Sequence, residues 1–454
     1  MAYNTLFPLK NRHFMLAFNP QTIPLSLYIH IPWCVKKCPY CDFNSHESKQ
    51  AIDFDGYVIA LLNDLASQAN FVQGREIASI FIGGGTPSLM PIASFQRLFA
   101  GIKQQLSLAK NCEITMEANP ATIEHAPFAD YLAVGINRLS LGVQSFHEVQ
   151  LQALGRIHTP SQALSAINNA TKAGFTHLNA DIMHGLPQQT LSEAMADLQQ
   201  LIDLNVAHIS WYQLTIEPNT VFFRNTPILP DEDVLADIFE CGNALLRESG
   251  YQQYEVSAWT KISPDFPLGQ PSQHNLNYWQ FGDYLAIGAG AHGKVSLNKA
   301  ENNQGENGIF RFSKSRLPKD YLQNQSAKNW QKIPDDELPF EFMMNALRLK
   351  QGVPKNLWQR RTGLDWQVIE PTLLKLQSQG LIEWDDDRVK CSEQGYLFLN
   401  QVLQAFLPEV ITPKVVKTLV KDPTPPKAVI TTPSKSPHYV YVLDQIIEST
   451  VVNN

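Results

Sequence analysis

Leu27-Tyr28-Ile29-His30-Ile31-Pro32-Trp33-Cys34-Val35-Lys36-Lys37-Cys38-Pro39-Tyr40-Cys41-Asp42-Phe43 sets three cysteines in a short loop directly after an apolar run. Iron-sulfur clusters are held by cysteine thiolates and a cubane ordinarily takes four, so three with no fourth nearby leave one iron open to a ligand. The competing reading is structural zinc, which takes four ligands in paired spacings; His30 and His46 are the residues that would complete such a set. Spacings of three and then two residues depart from two separated pairs, and this favours the cluster. Cys112, Cys241 and Cys391 stand alone, so the chain lacks the pattern of a secreted disulfide framework. Cys112 is set aside as a fourth ligand because the polar motifs of a cofactor site follow the loop.

Outward from the loop, 454 residues suit two or three domains, and a 44% hydrophobic content suffices for full cores. A net charge of -7 gives no electrostatic reason to expect nucleic acid as a partner. No stretch approaches a membrane span, and the first residues, with Lys10, Arg12 and His13 among Pro and Asn, do not read as a signal peptide. The expected location is the cytoplasm.

From Ser26 on, short apolar runs alternate with helical periodicity, which predicts a parallel α/β architecture. Strands are expected at Leu27 to Ile31, Ser79 to Ile82, Glu113 to Met116, Arg138 to Val143, Leu178 to Met183 and His208 to Leu214. Helices are expected between them, for example at Phe54 to Phe71, Ser161 to Ala173 and Leu191 to Leu204. Polar residues fall at the ends of these strands: the cysteine loop, Gly83-Gly84-Gly85-Thr86-Pro87, Glu117, Gln144, Asp181 and Gln213. A β/α barrel builds its site in this way, at the carboxyl ends of successive parallel strands.

The C-x3-C-x2-C loop with Tyr40 before its third cysteine resembles the radical S-adenosylmethionine (SAM) enzymes. Tyr28-Ile29-His30-Ile31-Pro32 narrows the likeness to the oxygen-independent coproporphyrinogen III oxidase family, over residues 24 to 407. The resemblance implies a partial (β/α)6 barrel over 24–260, a 4Fe-4S cluster on Cys34, Cys38 and Cys41, and SAM on its open iron. It further implies SAM contacts from Tyr28, Tyr40, Gly84, Gly85, Thr86, Glu117, Gln144, Arg156, Asp181 and Gln213. Arg156 is suited to a bidentate grip on a carboxylate. Asp181 is suited to ribose hydroxyls. His184 is read as incidental.

His274-Asn275-Leu276-Asn277-Tyr278-Trp279, in a barrel-closing segment at 261–333, reads by itself as a loop with core aromatics. It also resembles the HNxxYW motif of the family's heme-chaperone branch, which makes His274 a candidate heme ligand, imidazole being a common axial ligand. Leu285 to Gly293 resembles the family's glycine-rich return to the site. Residues 334–407 are expected as a small winged-helix-like α+β domain; Asp385-Asp386-Asp387 at its wing tip argues against DNA, since phosphate needs Lys or Arg there. Residues 1–23 are expected as an extension and 408–454 as a Pro-, Lys- and Thr-rich flexible tail with one apolar run, Tyr439 to Ile447.

Two functions fit this reading. One is a heme chaperone that carries heme as cargo to an acceptor hemoprotein, a membrane-associated respiratory one among the options, with a cluster-dependent dimer as one expected form. The other is the oxidase itself, which decarboxylates coproporphyrinogen III in porphyrin biosynthesis. The chaperone is favoured by the HNxxYW-like string, by Cys41-Asp42-Phe43 where the oxidase carries a further cysteine, and by the 27 residues before Tyr28, fewer than in the oxidase.

Overall fold

The computed structural model describes residues 19–48, 50–122, 127–298, 305, 307–326 and 328–408. The expected N-terminal extension up to residue 18 and the tail beyond Pro408, including Tyr439 to Ile447, lie outside the described residues.

Six β/α units appear in chain order. They comprise β1 (Leu25–Ile31), α1 (Phe54–Ser67), β2 (Ile77–Gly84), α2 (Ile92–Gln105), β3 (Leu108–Ala118), β4 (Arg138–Gln144), α3 (Pro160–Lys172), β5 (His177–His184), α4 (Leu191–Asp203), β6 (His208–Gln213) and α5 (Glu232–Glu248), with the six-residue helix Phe128–Ala133 serving the third unit between β3 and β4. Local chemistry sets the helix starts. Thr159 and Thr190 each form a capping box with the Gln162 or Glu193 three residues on, and Pro160 fills the first turn of α3. Five of the six strands run longer than the sequence predicts, and the sixth stops one residue short, at Gln213.

The chain then adds β7 (Tyr251–Glu255), β8 (Ala258–Lys261), α6 (Gln273–Trp279), β9 (Asp283–Ile287), β10 (His292–Leu297), β11 (Gly308–Ser313) and β12 (Lys328–Lys332). The sheet order is β12-β11-β10-β9-β1-β2-β3-β4-β5-β6-β8-β7. β9 pairs parallel with β1, so the glycine-rich return contains a seventh parallel strand, and antiparallel strands extend both edges of an unclosed barrel.

Strand alternation divides the residues between two environments. Leu25, Leu27, Ile29 and Ile31 join the outer core with Tyr57, Leu61 and Leu65 of α1. Ser26, Tyr28 and His30 point into the barrel, where Ser26 Oγ lies 2.8 Å from Ser79 Oγ on β2. The lumen is thus polar and buried. α6, capped by the Ser272 hydroxyl, lies across its lower end rather than forming the expected loop. There the His274 backbone N–H donates to Glu113 Oε1 at 3.1 Å, and Asn277 Nδ2 donates to Ser26 Oγ at 2.9 Å.

A second core belongs to α7 (Leu338–Ala346), α8 (Asn356–Thr362), α9 (Glu370–Ser378) and the hairpin β13 (Ile382–Trp384) and β14 (Arg388–Cys391), with Phe342, Trp358 and Leu373 fully buried in it. The two-residue strand Val353–Pro354 completes a three-stranded sheet. No helix among the described residues is long and apolar enough to cross a membrane.

Candidate cofactor site at the barrel mouth

The cysteine loop is anchored at both ends by backbone hydrogen bonds. Gly85 N donates to Ile31 O at 2.8 Å and Thr86 N to Trp33 O at 2.7 Å, while His46 N donates to Pro32 O at 2.7 Å. Gly84 takes φ +115°, and a Cβ at Gly85 would lie 2.4 Å from the Trp33 carbonyl oxygen, so the glycines let β2 pass against the loop. Asn44 Nδ2 bonds the carbonyls of Ala289 and Arg316, and the Asn44 carbonyl meets His30 Nε2 at 2.9 Å.

These contacts bear on the zinc reading. His30 is engaged at both nitrogens, by Tyr28 OH at 2.9 Å and by Asn44 O, and His46 Nε2 meets Arg316 O at 3.1 Å. No group of three or more His, Cys, Asp or Glu among the described residues is gathered tightly enough to hold a single metal ion. A cubane does not require that, because each thiolate takes a different iron. Cys34, Cys38 and Cys41 are all free thiols on this loop. Burial pushes Cys34 up to about 11 and shifts Cys41 upward as well, with the Ser45 hydroxyl opposing both. Occupancy by iron therefore means displacing protons from buried sulfur.

Arg156 reaches the loop from the segment after β4. Nη1 lies 3.8 Å from Cys38 Sγ and Nη2 donates to Gly142 O at 2.7 Å, while the buried Nε has no hydrogen-bond partner. A buried guanidinium with an unused donor fits a carboxylate ligand. Tyr40 lies beside Arg156 and packs on Phe222, whose N–H donates to Pro39 O at 3.0 Å.

The opposite side of the mouth is acidic. Glu117 Oε2 accepts from Gly84 N at 3.1 Å, and burial, with Asp181 nearby as the next cause, pushes its carboxyl up to about 8. Asp181 is also pushed upward by burial, against hydrogen bonds from Asn179, Ser140 and Ser210. Gln144 closes β4 at φ +68°, a conformation a glutamine adopts at a cost, and its Oε1 accepts from Tyr212 OH at 2.9 Å. Tyr28 stacks on Phe81 at 6.3 Å beneath the mouth. Gln213 sits at the end of β6 against Gly185. A cationic arm, two carboxylates and a glycine turn together suit a zwitterion that also carries a positive centre.

His184, read as incidental, and His274, read as a candidate heme ligand, both lie away from the mouth. His184 packs against Trp211 at 4.5 Å on the outer, helix-facing side. His274 is 1% exposed on the barrel floor, with Nδ1 3.0 Å from Ser79 Oγ, Nε2 2.8 Å from Tyr278 OH, and the ring against Phe81. Burial holds it neutral, down to about 3. The structure therefore does not bring His274 to the mouth, and both of its nitrogens are engaged. Sequence reasoning missed Ser140, Asn179, His208 and Tyr254, which line the lumen below Asp181. A groove of about 630 Å³ on the C-terminal domain, lined by Trp384, Arg388 and Lys390, is remote from this chemistry, and Lys390 there pairs with Glu383 at 3.0 Å.

Residues 28–201 match the model of the Radical SAM superfamily, and residues 333–398 that of the HemN C-terminal domain. Fold and site thus define a radical SAM protein with a HemN-type C-terminal domain. The chain is 50% identical over 386 residues to the heme chaperone HemW of Escherichia coli, which covers 85% of this chain and 99% of that protein. It is 49% identical over 394 residues to the heme chaperone HemW of Haemophilus influenzae, covering 86% and 100%. The chain belongs to the HemW heme-chaperone family. Among solved structures, coproporphyrinogen III oxidase (HemN) of Escherichia coli, a radical SAM enzyme, superposes with a TM-score of 0.71 at 24% identity, over 86% of this chain and 92% of that one. This is a likeness of fold.

Proposed function

We propose that the protein is a cytoplasmic heme chaperone that binds heme and passes it to an acceptor hemoprotein, with a 4Fe-4S cluster on Cys34, Cys38 and Cys41 and exchangeable SAM beside it. The observation that supports this most is the 50% identity to a curated heme chaperone across 99% of its length. In this reading the cluster supplies an open iron and an electron. The protein's own residues orient SAM: Arg156 grips its carboxylate, Glu117 and the Gly84–Thr86 turn take its ammonium, Asp181 holds the ribose, and Tyr28, Tyr40, Gln144 and Gln213 enclose it. Coordination of heme by His274 requires α6 to leave the barrel floor and exchange its bonds to Ser79 and Tyr278.

The test is an anaerobic heme titration of cluster-reconstituted protein, followed at the Soret band beside His274→Ala. Saturable binding of heme supports the chaperone, and weaker binding in the variant places the ligand on α6. Wild-type protein with no specific heme binding returns the oxidase as the leading function. Unchanged binding in a folded His274→Ala puts the heme site elsewhere on the protein.

A further inference from the structure

Below the mouth, a chain of buried side chains runs down the lumen from Asp181 to the barrel floor. Sheet register sets its members side by side: Ser140 pairs with Asn179 and Gly142 with Asp181 across β4 and β5, and Asn179 with His208 and Asp181 with Ser210 across β5 and β6. Asn179 Nδ2 donates to Asp181 Oδ1 at 2.8 Å and to Ser140 Oγ at 2.7 Å, and Ser140 Oγ donates to Asp181 Oδ2 at 3.0 Å. Asn179 Oδ1 lies 2.6 Å from His208 Nδ1 and accepts from Ser210 Oγ at 3.0 Å.

The protons follow from these contacts. An amide oxygen only accepts, so His208 Nδ1 carries the hydrogen. Its bare Nε2, 2.9 Å from Tyr254 OH, then accepts from that phenol, whose oxygen accepts in turn from Ser272 N at 3.3 Å. Reversing the Asn179 amide would face its oxygen to the Asp181 carboxylate, so with Asp181 ionised the contact to that carboxylate selects the orientation, and the His208 tautomer follows from it. Asn179, at 4% exposure, and His208, at 2%, gain nothing from solvent.

We propose that Asn179, held from below by His208 and Tyr254, is a positioning residue that aims the Asp181 carboxylate at the ribose hydroxyls of SAM. This rests on the reading that SAM occupies the mouth. Asn179 donates to one carboxylate oxygen and Ser140 to the other, with Ser210 shared between Asp181 and Asn179, so the carboxylate is gripped from the lumen side and keeps acceptor capacity for a ligand above. Asparagine suits the position better than aspartate, because a second carboxylate here would repel Asp181.

The test uses full-length, cluster-reconstituted protein and two probes, SAM and a SAM analogue lacking both ribose hydroxyls, with affinities measured anaerobically by equilibrium dialysis. Wild type is expected to prefer SAM. Asn179→Ala and Asn179→Asp are each expected to weaken SAM about tenfold, the scale of one hydrogen bond to a charged group, while leaving the analogue nearly unchanged. Their effects are expected to be non-additive with Asp181→Asn. His208→Ala is expected to copy the loss, and His208→Asn, whose amide N–H can stand where Nδ1–H stood, to restore most of it. Because the His208 pair tests the same chain, a failure of Asn179→Ala to fold leaves the question decidable. Equal loss of SAM and analogue, or no loss of either, in a folded Asn179 or His208 variant overturns the proposal. A wild type that binds no SAM, or an Asp181→Asn variant with unchanged SAM affinity, overturns the underlying SAM reading instead.

Discussion

Arg156 and Glu117 hold the two charges that a zwitterionic ligand needs, and each makes a separate prediction. Loss of the Arg156 grip removes at least one hydrogen bond between charged groups, worth about 1.5–3 kcal/mol, so Arg156→Ala is expected to weaken SAM binding by at least roughly tenfold to a hundredfold. Arg156→Lys is expected to recover little, since an ammonium cannot present two parallel N–H groups. Equilibrium dialysis decides, and an unchanged affinity removes Arg156 from the site. Glu117, held up to about 8 chiefly by burial, keeps its proton at neutral pH until a cation arrives. SAM affinity is therefore expected to rise as pH rises through about 8, with a proton released on binding, and Glu117→Gln is expected to remove that share of the slope. Stability of the ligand-free protein moves the opposite way: a carboxyl raised in the folded state contributes fully below its unfolded value, and the contribution is lost as pH climbs to about 8. Thermal melts of ligand-free protein should show Glu117→Gln gaining on wild type between pH 5 and 8, and parallel pH profiles for the two would refute the assignment.

At the scale of elements, the joint between β2 and the cysteine loop is a tight constraint on the site. An added Cβ at Gly85 would meet the Trp33 backbone at 2.4 Å, and backbone cannot rotate away as a side chain can. Gly85→Ala is therefore expected to displace the loop and lower the iron and sulfide bound after reconstitution, with a melting temperature lower by several degrees; full iron content would show that the loop tolerates the shift. The sequence disclosed the six β/α units because their outer faces are continuous apolar runs, and it disclosed the hairpin strand Arg388–Cys391 by its boundaries. It pointed to candidate mouth residues because Gln144 ends its strand and Glu117 and Asp181 lie in the carboxyl-terminal halves of theirs. The lumen network stayed hidden for a physical reason: Ser140, Asn179 and Ser210 alternate with apolar residues as a solvent-facing strand would, and alternation alone cannot distinguish water from a polar interior. α6 was missed because it spans only seven residues, too short for periodicity to register, although Ser272 followed by Asn275 supplies its cap. Arg156 gave no local signal, since its role depends on Gly142 and Cys38, distant in sequence.

Across the whole molecule, a buried polar joint links the barrel and the C-terminal domain. Arg348 Nη2 pairs with Glu255 Oε2 at 3.1 Å, its guanidinium lies 4.2 Å from the Trp279 ring, and its carbonyl accepts from Tyr396 OH at 3.0 Å. Lys350 N donates to Tyr254 O at 3.0 Å, so the joint borders both the β7 end of the lumen network and the α6 end of the HNLNYW string. Removing one partner of a buried pair leaves the other charge uncompensated, a cost of about 3–5 kcal/mol. Arg348→Ala also uncovers the Trp279 face, adding a cation–π loss of about 0.5–2 kcal/mol. The expected result is earlier release of the C-terminal domain: a second, lower transition in the thermal melt, and faster protease cleavage between Tyr254 and Leu349. Arg348→Met, which fills the volume without the charge, separates the two contributions, because it leaves Glu255 unpaired but keeps Trp279 covered. A single unshifted transition in Arg348→Ala would mean that the apolar packing of Leu276 and Trp279 on the second core joins the domains without help from the ion pair.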